Sequence, residues 1–298
     1  MAKVSPVSID RRTATEKKAV QLRSLHKPGD PLILVNVWDA ASARVIAALP
    51  EVKAVGTTSW AISAALGVPD GENLTADEAL YTAGIVVTSV DLPVTVDLER
   101  GYGRTADDVG ATVSRLIMIG AVGCNLEDSL SDSEVPGGEG PGRHASAASG
   151  APARGGRGMR PISEQVERLQ AARDSGKRLG VPLVINARTD ALLRGGTVDD
   201  AVRRGRSYLE AGADCVFVPG IKNLPAVRLF VDAFDGKLNV LARPGIPSLP
   251  DLAEAGVCRI SFGPGPMGLA YAALGRAAAQ LLAREEYPED LSSRPPTA

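Results

Sequence analysis

The sequence predicts an α/β chain folded as a (β/α)8 TIM-type barrel, and three observations carry that expectation. Eight short runs rich in Val, Ile and Leu alternate with eight longer stretches whose apolar residues recur every three or four positions. The short runs are apolar on both faces, the pattern of parallel strands covered on both sides by helices and joined by right-handed crossovers. Glycine-closed phrases such as Glu210-Ala-Gly-Ala-Asp214, Glu254-Ala-Gly-Val257 and Ile119-Gly-Ala-Val122 stand just before strand runs, where a helix end hands the chain to the sheet. Eight such units close a barrel.

In chain order, a polar lead-in over residues 1–24 holds one helical stretch, Ala14–Leu25, and the barrel domain spans 25–284. The predicted strands are Leu32–Val37, Lys53–Thr57, Pro93–Asp97, Val122–Glu127, Pro182–Ala187, Asp214–Val218, Leu238–Leu241 and Cys258–Phe262. The predicted helices are Ala40–Leu49, Thr75–Val87, Thr105–Ile119, Ser163–Leu179, Thr197–Ala211, Leu224–Phe234, Ser248–Glu254 and Pro266–Arg284. Several carry start signals. Thr75 with Glu78 three residues later is a capping box, Thr105-Ala-Asp-Asp108 is close to one, and Ser248 precedes Pro250 at a helix start.

One segment breaks the rhythm. Residues 129–160, rich in Gly, Ala, Ser and Pro, exceed a usual βα connection of roughly 2–6 residues, and read as a flap over the rim where the fourth strand ends. Residues 285–298 are Pro- and charge-rich and read as a loose tail.

Composition excludes several functions. With 298 residues, 44% hydrophobic and 23% charged, the chain has the make-up of a globular protein with a sizeable core. A formal charge of −2 offers no basic face for nucleic acid or an anionic membrane, so a small-molecule function is expected. Cys124, Cys215 and Cys258 each lie in an apolar run and read as small buried hydrophobes in a reducing compartment. No apolar stretch suits a membrane span or signal segment, and a cytoplasmic location is expected.

Barrel chemistry sits at the C-terminal ends of the strands. There the sequence offers Asn36, Trp38 and Asp39; Thr58, Ser59 and Trp60; Asp97 and Glu99; Glu127 and Asp128; Arg188 and Asp190; Pro219; Arg243; and Gly263. Strand alternation places Asp97 and Glu99 on one side with Leu98 opposite. Asp97, Glu99 and Glu127 are the candidate ligands of Mg2+, with Mn2+ the alternative. Mg2+ takes oxygen ligands at ~2.1 Å and keeps several waters, so one or two direct carboxylates suffice. The competing reading pairs Glu99 and Glu127 with Arg100 and Arg188 as structural ion pairs. The Arg188 guanidinium suits a substrate carboxylate or phosphonate, and Thr58-Ser59-Trp60 offers donors for a second anionic group. His26 reads as bystander surface; His144, in the flap, is the histidine that closure could bring to the site, and is the candidate acid/base.

With these residues in place, the sequence resembles the isocitrate lyase/phosphoenolpyruvate mutase superfamily from about Leu25 to Leu282. The resemblance rests on Asn36-Val-Trp-Asp-Ala-Ala-Ser-Ala43, Ala65-Leu-Gly-Val-Pro-Asp70, Val96-Asp-Leu-Glu-Arg-Gly-Tyr-Gly103, Asn125-Leu-Glu-Asp128, Asn186-Ala-Arg-Thr-Asp190 and Ala211-Gly-Ala-Asp-Cys-Val-Phe217, in order and at barrel spacing. It implies a Mg2+-dependent barrel whose last helix is swapped between subunits of a homodimer or homotetramer. It also implies a 2-oxo acid or related carboxylate substrate and an enolate-like species on the path. By motif position it implies Asp97 as direct metal ligand, Glu99 in place of the usual second aspartate of Asp-x-Asp, and Glu127 as the other acid around the metal. Asp70 matches an acid near the metal waters, Arg188 the carboxylate clamp, Trp38 and Asp39 part of the substrate-binding motif, and Thr58-Ser59-Trp60 the backbone cradle.

Two departures stand out. The Lys-Lys/Arg-Cys-Gly loop of the lyases and the Lys-x-Asn-Ser loop of the phosphonomutases are both missing after the fourth strand, and Pro219 stands where the family usually has an acid or histidine. The leading expectation is a Mg2+-dependent lyase-type enzyme on a small 2-oxo or 2-hydroxy acid, by C–C cleavage or decarboxylation. The alternatives are a phosphonomutase or phosphonopyruvate hydrolase, and an inactive ligand-binding barrel.

Overall fold

A computed structural model describes residues 6–131, 134, 158–283 and 287–288. Its strands are β1 (Leu32–Leu34), β2 (Asn36–Val37), β3 (Val55–Thr57), β4 (Val94–Asp97), β5 (Gly123–Glu127), β6 (Val184–Arg188), β7 (Cys215–Phe217), β8 (Leu238–Leu241) and β9 (Arg259–Ser261). Every neighbouring pair is parallel, in the order β1-β9-β8-β7-β6-β5-β4-β3-β2. The predicted first strand is thus present as two halves. β1 pairs with β9 and β2 with β3, so one interrupted strand closes the sheet on itself as the eighth barrel position. Asn36 stitches this seam. Its amide donates to Thr57 O at 2.8 Å, and its Oδ1 accepts from the backbone N–H of Phe262 at 2.8 Å and Gly263 at 2.9 Å.

The helices are α1 (Pro6–Ser24), α2 (Ala40–Ala47), α3 (Ser59–Leu66), α4 (Ala76–Thr88), α5 (Ala106–Met118), α6 (Ile162–Leu179), α7 (Val198–Glu210), α8 (Leu224–Ala233), α9 (Leu249–Glu254) and α10 (Gly265–Leu282). The expected caps form: Thr75 with Glu78, Thr105 with Asp108 and Ser248 with Asp251 each exchange both hydrogen bonds of a capping box. α3 is missing from the predicted helix ranges, although a helix start is expected just after Thr58-Ser59-Trp60, because Ser59–Leu66 is a short and mostly apolar run with little polar face to reveal its period.

The lead-in differs from expectation. Its helix runs upstream to Pro6, and its last turn belongs to the barrel: Ala19 and Leu22 are fully buried, while Arg23 donates to Leu183 O and pairs with Asp214 at 2.9 Å. The sequence hides this because only those few positions of a polar helix face inward. His26, expected at the surface, is the second correction: its Nε2 is buried and its Nδ1–H donates to Leu22 O at 2.9 Å. The three cysteines are free and buried. α10 is the exception at the other end. Of its residues only Met267 is buried, and Leu274 and Leu282 are 66% and 84% exposed. Most of the flap 129–160, and most of the tail 285–298, lie outside the described residues. No described helix is long and apolar enough to cross a membrane.

Candidate active site

The C-terminal ends of the strands surround a cavity of about 200 Å3. Its polar side is built by Thr58, Ser59, Asp70, Asp97, Asn125 and Arg188; Leu193, Phe217, Pro219 and Leu241 form an apolar side, and Trp60 stands at the mouth, 49% exposed.

Asp97 ends β4 and is held from two directions. Thr57 Oγ1 accepts its backbone N–H at 2.9 Å, and its Oδ2 accepts from both the N–H and the hydroxyl of Ser59, each at 3.0 Å. Ser59, expected to cradle substrate, instead orients Asp97 from the first turn of α3. Asp97 Oδ1 is buried without a hydrogen-bond donor among the described residues. A carboxylate oxygen in that condition is expensive unless a cation or water meets it. Asp70 shares the cavity; burial first, then the charges of Asp97 and Glu127, push its carboxyl above the usual range.

Glu99 does not follow the alternation read from the sequence. The strand ends at Asp97, and Glu99 has φ +48°, which turns its side chain toward the loop before α4. There Oε2 accepts from the Glu72 N–H at 2.6 Å and Oε1 from the Tyr102 hydroxyl at 2.6 Å. Burial pushes its carboxyl up to about 8, aided by Asp70 and Asp97 and opposed by those two hydrogen bonds. Nor does the competing reading's Glu99–Arg100 pair form among the described residues, since Arg100 binds Glu72 at 3.2 Å and lies 3.7 Å from Glu127.

Glu127 sits between the expected ion pair and the expected metal site. Its Oε2 meets Arg188 Nη1 at 3.0 Å, and its Oε1 accepts from the Ser129 hydroxyl at 2.5 Å. Burial alone would raise its carboxyl, but Arg188, Ser129 and Arg100 hold it below the ordinary range. Arg188 also grips Asp190 bidentately, Nε at 2.6 Å and Nη2 at 3.0 Å, and lies 5.8 Å from the Phe217 ring centroid. A guanidinium has five N–H donors, and with two bonded to Asp190 and Nη1 paired with Glu127, donors remain for a ligand. Burial opposes the Arg188 charge, but Glu127 and Asp190 reverse that effect.

Asp128 is a structural acid. It is fully buried, accepting from Tyr208 OH at 2.6 Å, Arg204 Nη1 at 3.3 Å and the Asp190 N–H at 2.9 Å, and so ties β5 to α7 and to the Arg188 loop. Trp38 and Asp39 do not line the cavity: Trp38 packs edge-on against Tyr271 with centroids 6.4 Å apart, and Asp39 caps α2 by accepting from the Ser42 N–H at 2.7 Å. His144 lies outside the described residues. Asn125 and Ser261 line the cavity and were not singled out from sequence; Asn125 lies two residues before Glu127, and that inward parity is the signal that could have found it.

Among the described residues no three His, Cys, Asp or Glu gather as a metal cluster. The donor set still suits a hard divalent ion that keeps most of its waters: one unpartnered carboxylate oxygen, on Asp97, with Asp70 in the same cavity. No soft ligand is present in the cavity wall to favour zinc.

The chain matches the family model for phosphoenolpyruvate phosphomutase over residues 22–282. The 2-methylisocitrate lyase of Escherichia coli K12 is 30% identical over 247 residues, 78% of this chain and 72% of that protein. The phosphoenolpyruvate phosphomutase of Streptomyces hygroscopicus is 29% identical over 271 residues, 88% of this chain and 80% of that protein. A crystal structure of a proposed phosphonomutase from Burkholderia cenocepacia J2315 superposes with TM-score 0.77 at 38% identity, covering 89% of this chain and 99% of that one. The chain belongs to the isocitrate lyase/phosphoenolpyruvate mutase superfamily of lyases and mutases.

Proposed function

We propose that this protein is a Mg2+-dependent lyase-type enzyme acting on a small 2-oxo or 2-hydroxy carboxylic acid, by C–C cleavage or decarboxylation. The observation that carries the reading is the meeting, in the lining of one cavity of about 200 Å3, of Asp97, a carboxylate with one buried and unpartnered oxygen, and Arg188. Asp97 would hold the ion, with Asp70 and Glu127 beside it. When bound, Mg2+ supplies Lewis-acid charge to the oxygen that becomes negative as the bond breaks. Arg188 takes the substrate carboxylate on its unclaimed N–H groups, while Glu127 and Asp190 fix the plane of the fork. Leu193, Phe217, Pro219 and Leu241 exclude water from the reacting carbon. Asp70, its carboxyl raised by burial and by the neighbouring acids, stands in the same cavity as the candidate proton carrier. Decarboxylation suits a site with Pro219 in its wall, because the first step needs no base.

The test is calorimetric titration with Mg2+ and oxalate, followed by turnover of oxaloacetate and alkyl-substituted malates. Asp97→Ala is expected to remove Mg2+-dependent oxalate binding while the fold persists. Retained binding in that variant, or no turnover of any such acid, would sink the proposal. Phosphonomutase or phosphonopyruvate hydrolase chemistry is the second reading. It is favoured by the likeness to the Streptomyces mutase and the Burkholderia structure, and turnover of phosphonopyruvate in the same assay would select it.

A homo-oligomer is part of the proposal. α10 exposes Leu269, Leu274 and Leu282 beside an apolar groove lined by Ile246, Leu249, Phe262 and Leu269, surfaces that a second copy's helix would cover. Leu274→Glu should shift the sedimentation mass to that of a monomer; a monomeric native protein would refute this.

A further inference from the structure

We infer that Glu99 and Glu72 are positioning residues, the two halves of a latch that fixes the loop carrying Asp70 over the cavity, and that Glu99 does not ligate the cation. The value of Asp70 to the site rests on the function proposed above; the latch itself rests on geometry.

The latch has a fixed jaw, residues 98–104 after β4. Leu98 N–H donates to Asn125 O at 3.3 Å, and the almost fully buried Arg168 of α6 donates to the carbonyls of Arg100 at 3.0 Å, Gly103 at 2.7 Å and Arg104 at 3.2 Å. The second jaw is the α3–α4 connection, with Asp70, Gly71 and Glu72. Glu72 joins the two at both ends of its own structure. Its backbone N–H donates to Glu99 Oε2 at 2.6 Å, while its carboxylate accepts from Tyr102 N–H at 2.8 Å and Arg100 Nε at 3.2 Å. Arg100 Nη2 adds a bond to Gly71 O at 2.7 Å, and Tyr102 OH returns to Glu99 Oε1 at 2.6 Å. Glu99 and Arg100 are buried, at 3% and 6% exposure.

Backbone strain marks the same residues. Among the described residues four non-glycine positions have positive φ, and three of them are Glu72 at +57°, Glu99 at +48° and Tyr102 at +51°. Left-handed backbone at a residue with a Cβ persists only where surrounding contacts over-determine it. Here those contacts are the reciprocal bonds of the latch. The same bonds commit both oxygens of the Glu99 carboxylate to Glu72 and Tyr102.

The test compares Tyr102→Phe, Glu72→Gln, Glu72→Ala and Glu99→Asp by amide hydrogen exchange of a peptide covering residues 67–75, and by calorimetric titration with Mg2+ alone. The net contribution of one intramolecular hydrogen bond sets a local opening equilibrium by up to roughly a factor of ten. Exchange should therefore quicken by up to roughly tenfold in Tyr102→Phe and Glu99→Asp, and more in Glu72→Ala than in Glu72→Gln, which keeps an acceptor. Mg2+ affinity should stay within about threefold of the parent in Tyr102→Phe and Glu72→Gln, and Glu99→Asp should behave like them. Unchanged exchange in Tyr102→Phe and Glu99→Asp would overturn the latch. Loss of Mg2+ binding in Glu99→Asp alone would make Glu99 a ligand and overturn the inference too. Neither readout needs turnover, so a wrong substrate class would leave both results legible. Where turnover is measured, kcat should fall with KM little changed, because the latch places Asp70 and none of these variants alters Arg188, Glu127 or Asp190.

Discussion

Replacing Arg188 with lysine keeps the charge and removes the fork, and so isolates what the planar guanidinium does. Two of its five N–H groups bind Asp190 and Nη1 pairs with Glu127 in the free protein, which leaves donors for a substrate carboxylate. A lysine ammonium has three donors in all, so it cannot bridge both acids and also hold a ligand bidentately. Hydrogen bonds to charged groups contribute ~1.5–3 kcal/mol each, so losing one of two ligand bonds, with poorer alignment of the other, should weaken binding by about 2–3 kcal/mol. That corresponds to roughly 30- to 150-fold in Kd for oxalate at saturating Mg2+. Burial already raises the Asp190 carboxyl against the pull of Arg188, so a poorer partner should raise it further and add a pH dependence to binding near neutrality. Isothermal titration of parent and Arg188→Lys at several pH values measures both effects. A Kd within twofold of the parent would show that the ligand carboxylate is held elsewhere and would refute the assignment of Arg188 as the clamp.

Two further predictions concern the scaffold. His26 is held neutral at the barrel base, its pKa lowered to about 4 by burial and by the Arg259 charge. The unfolded chain therefore binds the extra proton first. Stability is full above pH 6.5 and falls between 6.5 and about 4, by roughly 2–3 kcal/mol. Denaturant unfolding at pH 7 and 4.5 should show that loss in the parent and less of it in His26→Gln; identical pH slopes would contradict it. Gly101 has φ +97°, and a Cβ there would lie 2.9 Å from Val109 Cγ1 and 3.2 Å from Leu126 Cδ2. Gly101→Ala combines left-handed strain with overpacking and should destabilise by about 2–4 kcal/mol, read as a lowered thermal midpoint; a change under about 0.5 kcal/mol would refute it.

The architecture was legible in the sequence because barrel strands and their covering helices differ in period, length and end chemistry, all local properties. The strand runs, the capping boxes and the glycine-closed helix ends could each be read from a few adjacent residues. Asp97 and Arg188 were also legible as cavity residues, since both stand at strand ends and fall on one rim once the barrel is accepted, whereas Asp70, in the α3–α4 connection, was reached only through the motif resemblance. The seam at Asn36, the inward turn of α1 and the burial of His26 depend on residues far apart in the chain, so no local pattern announced them.

Glu99 shows where that boundary lies. The sequence alone determined a parallel barrel, an acid at the end of β4 and another two residues on. Alternation could place the two side by side only if the strand continued through both. The tertiary structure ended the strand at Asp97, and Arg168 of α6 braced the following turn from behind. Across the rim, Glu72 offered a backbone N–H to the Glu99 carboxylate. Where a side chain points is a property of backbone torsion, and here contacts from three separate segments set that torsion.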